Sequence, residues 1–168
     1  MAYEEPPLTN APAPRGAVEK LAHVLAVWFG CGHVPRAPGT AGTLGAIPLY
    51  LLLRPYGALA IAIAAVVITA VGVWASRLVC LRVERKDPQI VVIDEVAGVL
   101  IAWACAPLTL AGGVLGFILF RIFDHTKPWP ARLAEQRLPI GFSVMFDDVV
   151  AGVWAGALLY VAHRNGLL

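Results

Sequence analysis

Apolar residues fall along this chain in long blocks, near 42–53, 58–76, 90–106, 109–121 and 148–162, and most of the charge sits between them. The clearest block is 58–76, ALAIAIAAVVITAVGVWAS, which is uncharged and long enough to cross a bilayer core as a helix. A shorter one, KLAHVLAVWFGCG at 20–32, lies against the membrane or packs on the rest. Turn residues punctuate the blocks. Arg54-Pro55-Tyr56-Gly57 breaks the chain, 77–89 reads as a polar loop, and Pro88 suits the first turn of a helix reaching about Ala106. Pro107 and Gly112-Gly113 follow, and 121–146 reads as a second polar loop before a last helix from about Asp147 to His163. The pattern predicts an all-α, compact helical bundle integral to a membrane. Several runs are shorter than the ~20 residues of a perpendicular span, so short or tilted crossings are expected. Residues 1–19, acidic and proline-rich, read as a disordered tail and 20–168 as one membrane-embedded domain.

Composition sharpens this. The chain has 168 residues, 59% hydrophobic and only 14% charged, against ~25% charged in soluble domains. Mean hydropathy is +0.74. A net charge of +2 offers no nucleic-acid surface. Cys31, Cys80 and Cys105 lack metal-ligand spacing and read as small core hydrophobes. Cys31 to Arg36 is C-x4-R, one residue short of a cysteine-phosphatase loop. Threading the blocks through a membrane places the tail, 77–89 and 121–147 on one side with all the lysines and arginines except Arg54 and Arg164. The positive-inside rule makes that side cytoplasmic. Reading 96–120 as one bent span would instead throw 121–137 outward, so a hairpin is favoured.

Four polar clusters then share the cytoplasmic ends of separate helices: Pro38-Gly39-Thr40 to Thr43, Asp94-Glu95, Arg121 to Pro130, and Asp147-Asp148. Carboxylates beside hydrocarbon are costly unless paired or bound to a cation. Asp94, Glu95, Asp124, Asp147 and Asp148 together call for a hard divalent ion such as Mg²⁺. Adjacent helical residues point about 100° apart, so one of each pair faces inward while its neighbour orients it or binds a second ion. Ala97-Gly98 and Ala151-Gly152, one turn on, would let the two helices approach closely. Helix N-terminal capping explains either acidic pair alone, but not all the clusters at one level. Lys127, Arg121 and Arg36 are candidates for phosphate oxygens. Gly39, Thr40 and Thr43 open a helix whose N–H groups favour an anion, without the lysine of a P-loop.

PGTAGT (38–43), DEVAG (94–98), RIFDHTKPWP (121–130) and GFSVMFDDVVAG (141–152) together resemble the phosphatidylglycerophosphatase A family, from about Gly30 to the end. The resemblance implies an all-helical, Mg²⁺-dependent lipid phosphatase of the bacterial inner membrane. It would be multi-pass, with its site facing the cytoplasm, converting phosphatidylglycerophosphate to phosphatidylglycerol for phospholipid synthesis. Two departures, Thr43 for a common serine and Ile93 for a common aromatic, remove no group the chemistry needs. On this reading Asp94, Glu95, Asp147 and Asp148 hold the metal, and Asp124 is a further ligand or a general base. Lys127 and Arg121 offset phosphate charge, while Arg36, Gly39, Thr40 and Thr43 seat the substrate. A small transporter or ion-binding membrane protein is the alternative, but its charges belong at the bilayer midplane. A head-group phosphotransferase would need a spaced aspartate motif that the chain lacks.

Overall fold

The computed structural model describes residues 13–130 and 138–168, all-helical among the described residues. The tail expected over 1–19 falls outside them as far as residue 12, and so do Arg132 and Arg137. Helix α1, Ala17–Ala26, already includes the end of that segment. A 3-10 turn, Trp28–His33, leads to α2 at Pro38–Gly45 and α3 at Ile47–Leu53. Pro38 opens α2 at a position where its missing N–H has no helical partner to lose. Ala46 joins α2 to α3 with helical backbone angles, so the two run on as one slightly broken rod.

Helix α4, Ala58–Val83, is longer than its apolar core. Arg77 and Arg82, expected in a loop, stand on its last turns, because the run RLVCLR has good helix propensity. Helix α5, Ile93–Cys105, starts later than expected. Pro88 lies in the turn before it, accepting a hydrogen bond from Val91 N at 2.9 Å. Pro107 forces the residue before it out of helical geometry, and Ala106 is extended. Helix α6, Leu110–Thr126, is capped by Thr109, whose hydroxyl accepts from Gly112 N at 3.0 Å. It runs past Phe120, so Arg121 and Asp124 are helical rather than in a loop. Lys127, left-handed at φ 45°, ends it. Helix α7, Phe142–Arg164, begins five residues before Asp147, which moves the acidic pair into its second turn.

Helix α5 is the hub. Ile93, Asp94, Val96 to Leu100, Ala102 and Trp103 are all buried, as expected of a helix apolar all round. Helices α5 and α6 form an antiparallel hairpin: Trp103 Nε1 donates to Gly113 O at 2.8 Å, and Phe120 packs at Gly98. The single bent span is thereby excluded. Helix α7 crosses α5 in parallel sense, Gly98 meeting Gly152 and Cys105 meeting Gly156. A Cβ on Gly152 would stand 2.3 Å from the Gly98 carbonyl oxygen. Helix α4 covers the other side of α5, its Gly72 against Met145 and Ile93. Its outer face stays bare: Leu59, Ile63, Val66 and Val67 are all more than half exposed. Helices α4 and α7 are each long and apolar enough to cross a membrane. At the end of the bundle away from Asp94, Arg54 Nε donates to Leu108 O at 3.0 Å.

Helix α1 packs on the last turns of α4. There Arg82 Nη2 lies 2.9 Å from His23 Nδ1. An arginine can only donate, so this imidazole is neutral and accepts. Burial, then the Arg82 charge, then His33 hold the His23 pKa below its ordinary value. The folded state therefore binds fewer protons than the unfolded one, and this contribution is present above the ordinary histidine pKa and lost as pH falls below it. Thermal melts of detergent-solubilised protein should show a midpoint that drops between pH 7.5 and 5.5, less steeply in His23→Gln. Separately, Gly152→Ala should lower stability by about 1–3 kcal/mol, since backbone on α5 cannot yield to the new methyl. Denaturant or thermal unfolding of the purified variant measures it.

Candidate active site

The close α5–α7 crossing brings the acidic residues together. Asp94 and Glu95 occupy the first turn of α5 and Asp148 the second turn of α7. One oxygen from each lies within 4.8 Å of the others. Asp94 is 8% exposed and Asp148 4%. Asp94 Oδ1 also accepts from Glu95 N at 3.1 Å, which fixes its carboxylate at the helix start. Glu95 Oε2 is buried and has no hydrogen-bond partner among the described residues. Three carboxylates this close, two of them buried and Glu95 half-buried, cannot all ionise unless something positive joins them. An all-oxygen donor set with an unsatisfied oxygen suits a hard divalent cation.

Asp147 does not join the cluster. One residue from Asp148 on the helix, it points elsewhere, and its Oδ2 pairs with Lys127 Nζ at 2.7 Å. Lys127 reaches it because its left-handed backbone turns the chain off the end of α6. Arg121 Nη1 pairs with Asp124 Oδ2 at 2.7 Å, one turn apart on α6. Asp124 in turn lies near enough to Asp148 for the two carboxylates to repel each other. The basic residues thus flank the carboxylates, each already oriented by an acid.

The first turn of α2 closes the remaining side. A Cβ on Gly39 would fall 2.1 Å from Glu95 Oε1 and 3.5 Å from Arg121 Nη1, so any larger residue there would displace the Glu95 carboxylate. Thr43 is fully buried and its hydroxyl donates to Gly39 O at 2.9 Å, bracing that turn from beneath. Thr40 is half-buried beside it, while Arg36 stands exposed in the turn before α2. His125 is exposed. Cys31 packs at Gly45. Of the residues expected at the site, Asp94, Glu95 and Asp148 converge, with Asp124, Arg121 and Gly39 against them and the Asp147–Lys127 pair beside.

Trp154 escaped the sequence reading. Its Nε1 donates to Trp129 O at 3.2 Å and its ring lies 6.4 Å from Phe123, pinning the segment after Lys127 onto α7. Its place two helical turns after Asp147 was the available signal, since such residues share a face.

The phosphatidylglycerophosphatase A family model matches residues 24–163 and contains all four motifs. This chain belongs to the phosphatidylglycerophosphatase A family. Membership makes it an enzyme, a phosphoric monoester hydrolase. Phosphatidylglycerophosphatase A of Escherichia coli is 35% identical over 144 residues, 84% of each chain. That of Haemophilus influenzae is 33% identical over 153 residues, 90% of this chain and 94% of its own. A Bacteroides thetaiotaomicron protein, named as a candidate phosphatidylinositol-3-phosphatase, is 40% identical over 152 residues, 83% of this chain and 92% of its own. No solved structure matches this chain.

The Asp147–Lys127 pair is the part of this family site that can be tested by stability alone. A double-mutant cycle with Asp147→Asn and Lys127→Met should give a coupling of about 1 kcal/mol or more, as residues in direct contact do. Replacing Asp147→Asn by Asp148→Asn in the same cycle should give less.

Proposed function

We propose that this chain is a Mg²⁺-dependent, membrane-embedded phosphatase that removes the terminal phosphate of phosphatidylglycerophosphate. The product, phosphatidylglycerol, enters phospholipid synthesis. The observation that carries the proposal is the convergence of Asp94, Glu95 and Asp148, fringed by Arg121 and Lys127. Anionic and cationic groups set side by side suit a metal and a phosphate together.

The residues take distinct roles. Asp94, Glu95 and Asp148 would hold Mg²⁺, which when bound neutralises phosphate charge and lowers the pKa of a coordinated water. Asp147 serves as an orienting partner that keeps Lys127 extended toward the phosphate. Lys127 and Arg121 counter charge on the phosphate oxygens. Asp124, paired with Arg121, is the carboxylate placed to accept the proton of the attacking water. As the water oxygen bonds to phosphorus, the ester P–O bond breaks and the leaving oxygen takes up a proton. Gly39 and Thr40 supply backbone N–H groups at the start of α2.

Several features support membrane embedding. Helix α4 keeps only 22% of its most apolar window buried, although the core helix of a soluble protein is mostly buried. Exposed Tyr56 and partly exposed Trp74 bracket the bare stretch. Ala58 and Trp74, sixteen residues apart on α4, stand about 24 Å from each other along its axis, most of the thickness of a hydrocarbon core. Arg54 lies beyond one and Arg77 and Arg82 beyond the other, the arrangement of interfacial anchors. Gly72, two residues before Trp74 and about 3 Å from its level, packs against Met145 and Ile93, so the acidic group lies near the same interface. Lysine and arginine excess at that end supports a multi-pass topology in the bacterial inner membrane with the site on the cytoplasmic side.

Purified full-length protein in detergent micelles should release phosphate from synthetic phosphatidylglycerophosphate with Mg²⁺ and stop on chelation. Asp94→Asn and Asp148→Asn should each reduce turnover by about a hundredfold or more, as expected when a transition-state contact is lost. Both should also weaken Mn²⁺ binding measured by paramagnetic resonance. Turnover indifferent to chelator and to both substitutions would remove the metal-site reading. Phosphatidylinositol 3-phosphate, run in parallel, tests the head group named for the Bacteroides relative; preferential hydrolysis of it would reassign the substrate.

A further inference from the structure

Below the Gly39–Arg121 contact the bundle opens sideways. Leu44, Ile47, Leu51 and Arg54 follow one another at helical spacing along α2 and α3. Facing them on α6 are Phe117, Val114 and Leu110, in line with Arg121 above. These two stripes wall a groove of about 280 Å³, floored by Tyr50 and Trp103, whose rings lie 4.5 Å apart. Leu44, Leu51, Leu110 and Val114 line it with about half or more of their surface exposed. The Arg54–Leu108 hydrogen bond closes its far end, and its near end runs up to the basic edge of the site.

One polar group is out of place there. Tyr50 is 5% exposed, yet its hydroxyl is buried with no hydrogen-bond partner among the described residues. It points at Gly113 of α6, where an added Cβ would still be 3.7 Å away. A buried hydroxyl left unpaired is costly. At the wall of an otherwise apolar groove it suits a ligand that is mostly hydrocarbon with one acceptor oxygen.

We infer that the α3–α6 groove seats an acyl chain of the lipid substrate, with the Tyr50 hydroxyl donating to its ester carbonyl. The inference rests on the lipid phosphatase reading above and adds how the diacyl part is recognised. The spacing fits. Arg121 and Gly113 are eight residues apart, about 12 Å along α6. Roughly eleven bonds separate the terminal phosphorus of phosphatidylglycerophosphate from an ester carbonyl, about 13 Å when extended at the advance per bond of a stretched chain. Phosphate at Arg121 therefore puts an ester at the level of Tyr50, beside Val114, and the hydrocarbon beyond it, against Leu51 and Leu110. A second apolar groove, about 580 Å³ between α4, α5 and α7, has no polar group unpaired in it and lies on the side of α7 away from Asp147 and Lys127.

The test uses a phosphatidylglycerophosphate analogue with a photoreactive diazirine near the carbonyl end of one acyl chain, in mixed micelles with the full-length protein. Mass spectrometry should find the label on α3 and α6, within 44–54 and 110–117. Label on the α4–α7 groove, or spread over all exposed apolar surface, overturns the assignment. Independently, Tyr50→Phe should lower the ratio of kcat/KM for diacyl substrate to that for its deacylated head group by about five- to tenfold, the loss of one hydrogen bond. Its melting temperature should not fall, because the hydroxyl has no internal partner to lose. Gly113→Leu, which fills the groove without disturbing helical geometry, should lower the ratio further and abolish labelling of α3. An unchanged ratio in both variants overturns the proposal. Labelling of α3 and α6 by a wild-type protein that hydrolyses neither substrate would sink the phosphatase reading and leave the groove standing. Hydrolysis with labelling elsewhere would do the reverse.

Discussion

The structure depends on how closely two helices can cross. Gly98 of α5 and Gly152 of α7 face each other with no side chain between them, and the Gly98 carbonyl occupies the space where a Cβ of residue 152 would be. Backbone contact of this kind is how small residues join helices where the hydrophobic effect does not drive association. One turn earlier on each helix stand Asp94 and Asp148. Because the helices run parallel, the contact that fixes their separation at the glycines also fixes it at the acids. Had the crossing carried leucines, the axes would stand toward the upper end of the usual 8–10 Å separation and the carboxylates farther apart.

The same geometry imposes a cost. Burying Asp94 and Asp148 beside Glu95 sets three like charges in one low-dielectric space, and among the described residues nothing cancels them all. The neighbouring acids are treated differently. Asp124 and Asp147 each have a basic partner at 2.7 Å. A protein shaped only for stability would distribute its cations evenly. Here Arg121 and Lys127 neutralise the outer acids while the inner three stay crowded, and this division separates the carboxylates that could share a cation from those that orient a basic side chain.

Much of this could be read from the sequence because chemistry and hydropathy coincide in it. Asp94-Glu95 and Asp147-Asp148 interrupt apolar runs, and Gly98 and Gly152 follow each at the same offset, so convergence was readable without coordinates. The phase of α7 was not. Gly141-Phe142-Ser143 reads as loop after Pro139, yet the helix begins at Phe142, and only its true start determines which of two adjacent aspartates faces α5. Asp147 was therefore grouped with Asp148, whereas a rotation of about 100° sends it to Lys127. Likewise Arg77, Arg82, Arg121 and Asp124 were read as loop residues because they are charged, although charged residues continue a helix readily once it reaches water. Thr43 shows a third limit. A hydroxyl that could meet a phosphate can also donate to the carbonyl four residues back, and spacing does not distinguish the two.

Position in the bundle connects these points to function. A phosphate ester deep in hydrocarbon would have to shed its hydration before any protein group could replace it, whereas one far out in water would leave the acyl chains stranded. The acidic group avoids both extremes because α5, only 13 residues long, is about 20 Å in length, too short for a bilayer core that α4 is long enough to cross. Its first turn is thus held level with the last apolar turns of α4 and covered by α2 on one side and by α6 and α7 on the others. Short α5 sets the depth of the site, and the glycine crossing sets its width. On the proposed function, the two together would let a lipid head group and a hydrated cation meet at the cluster without either leaving its own phase.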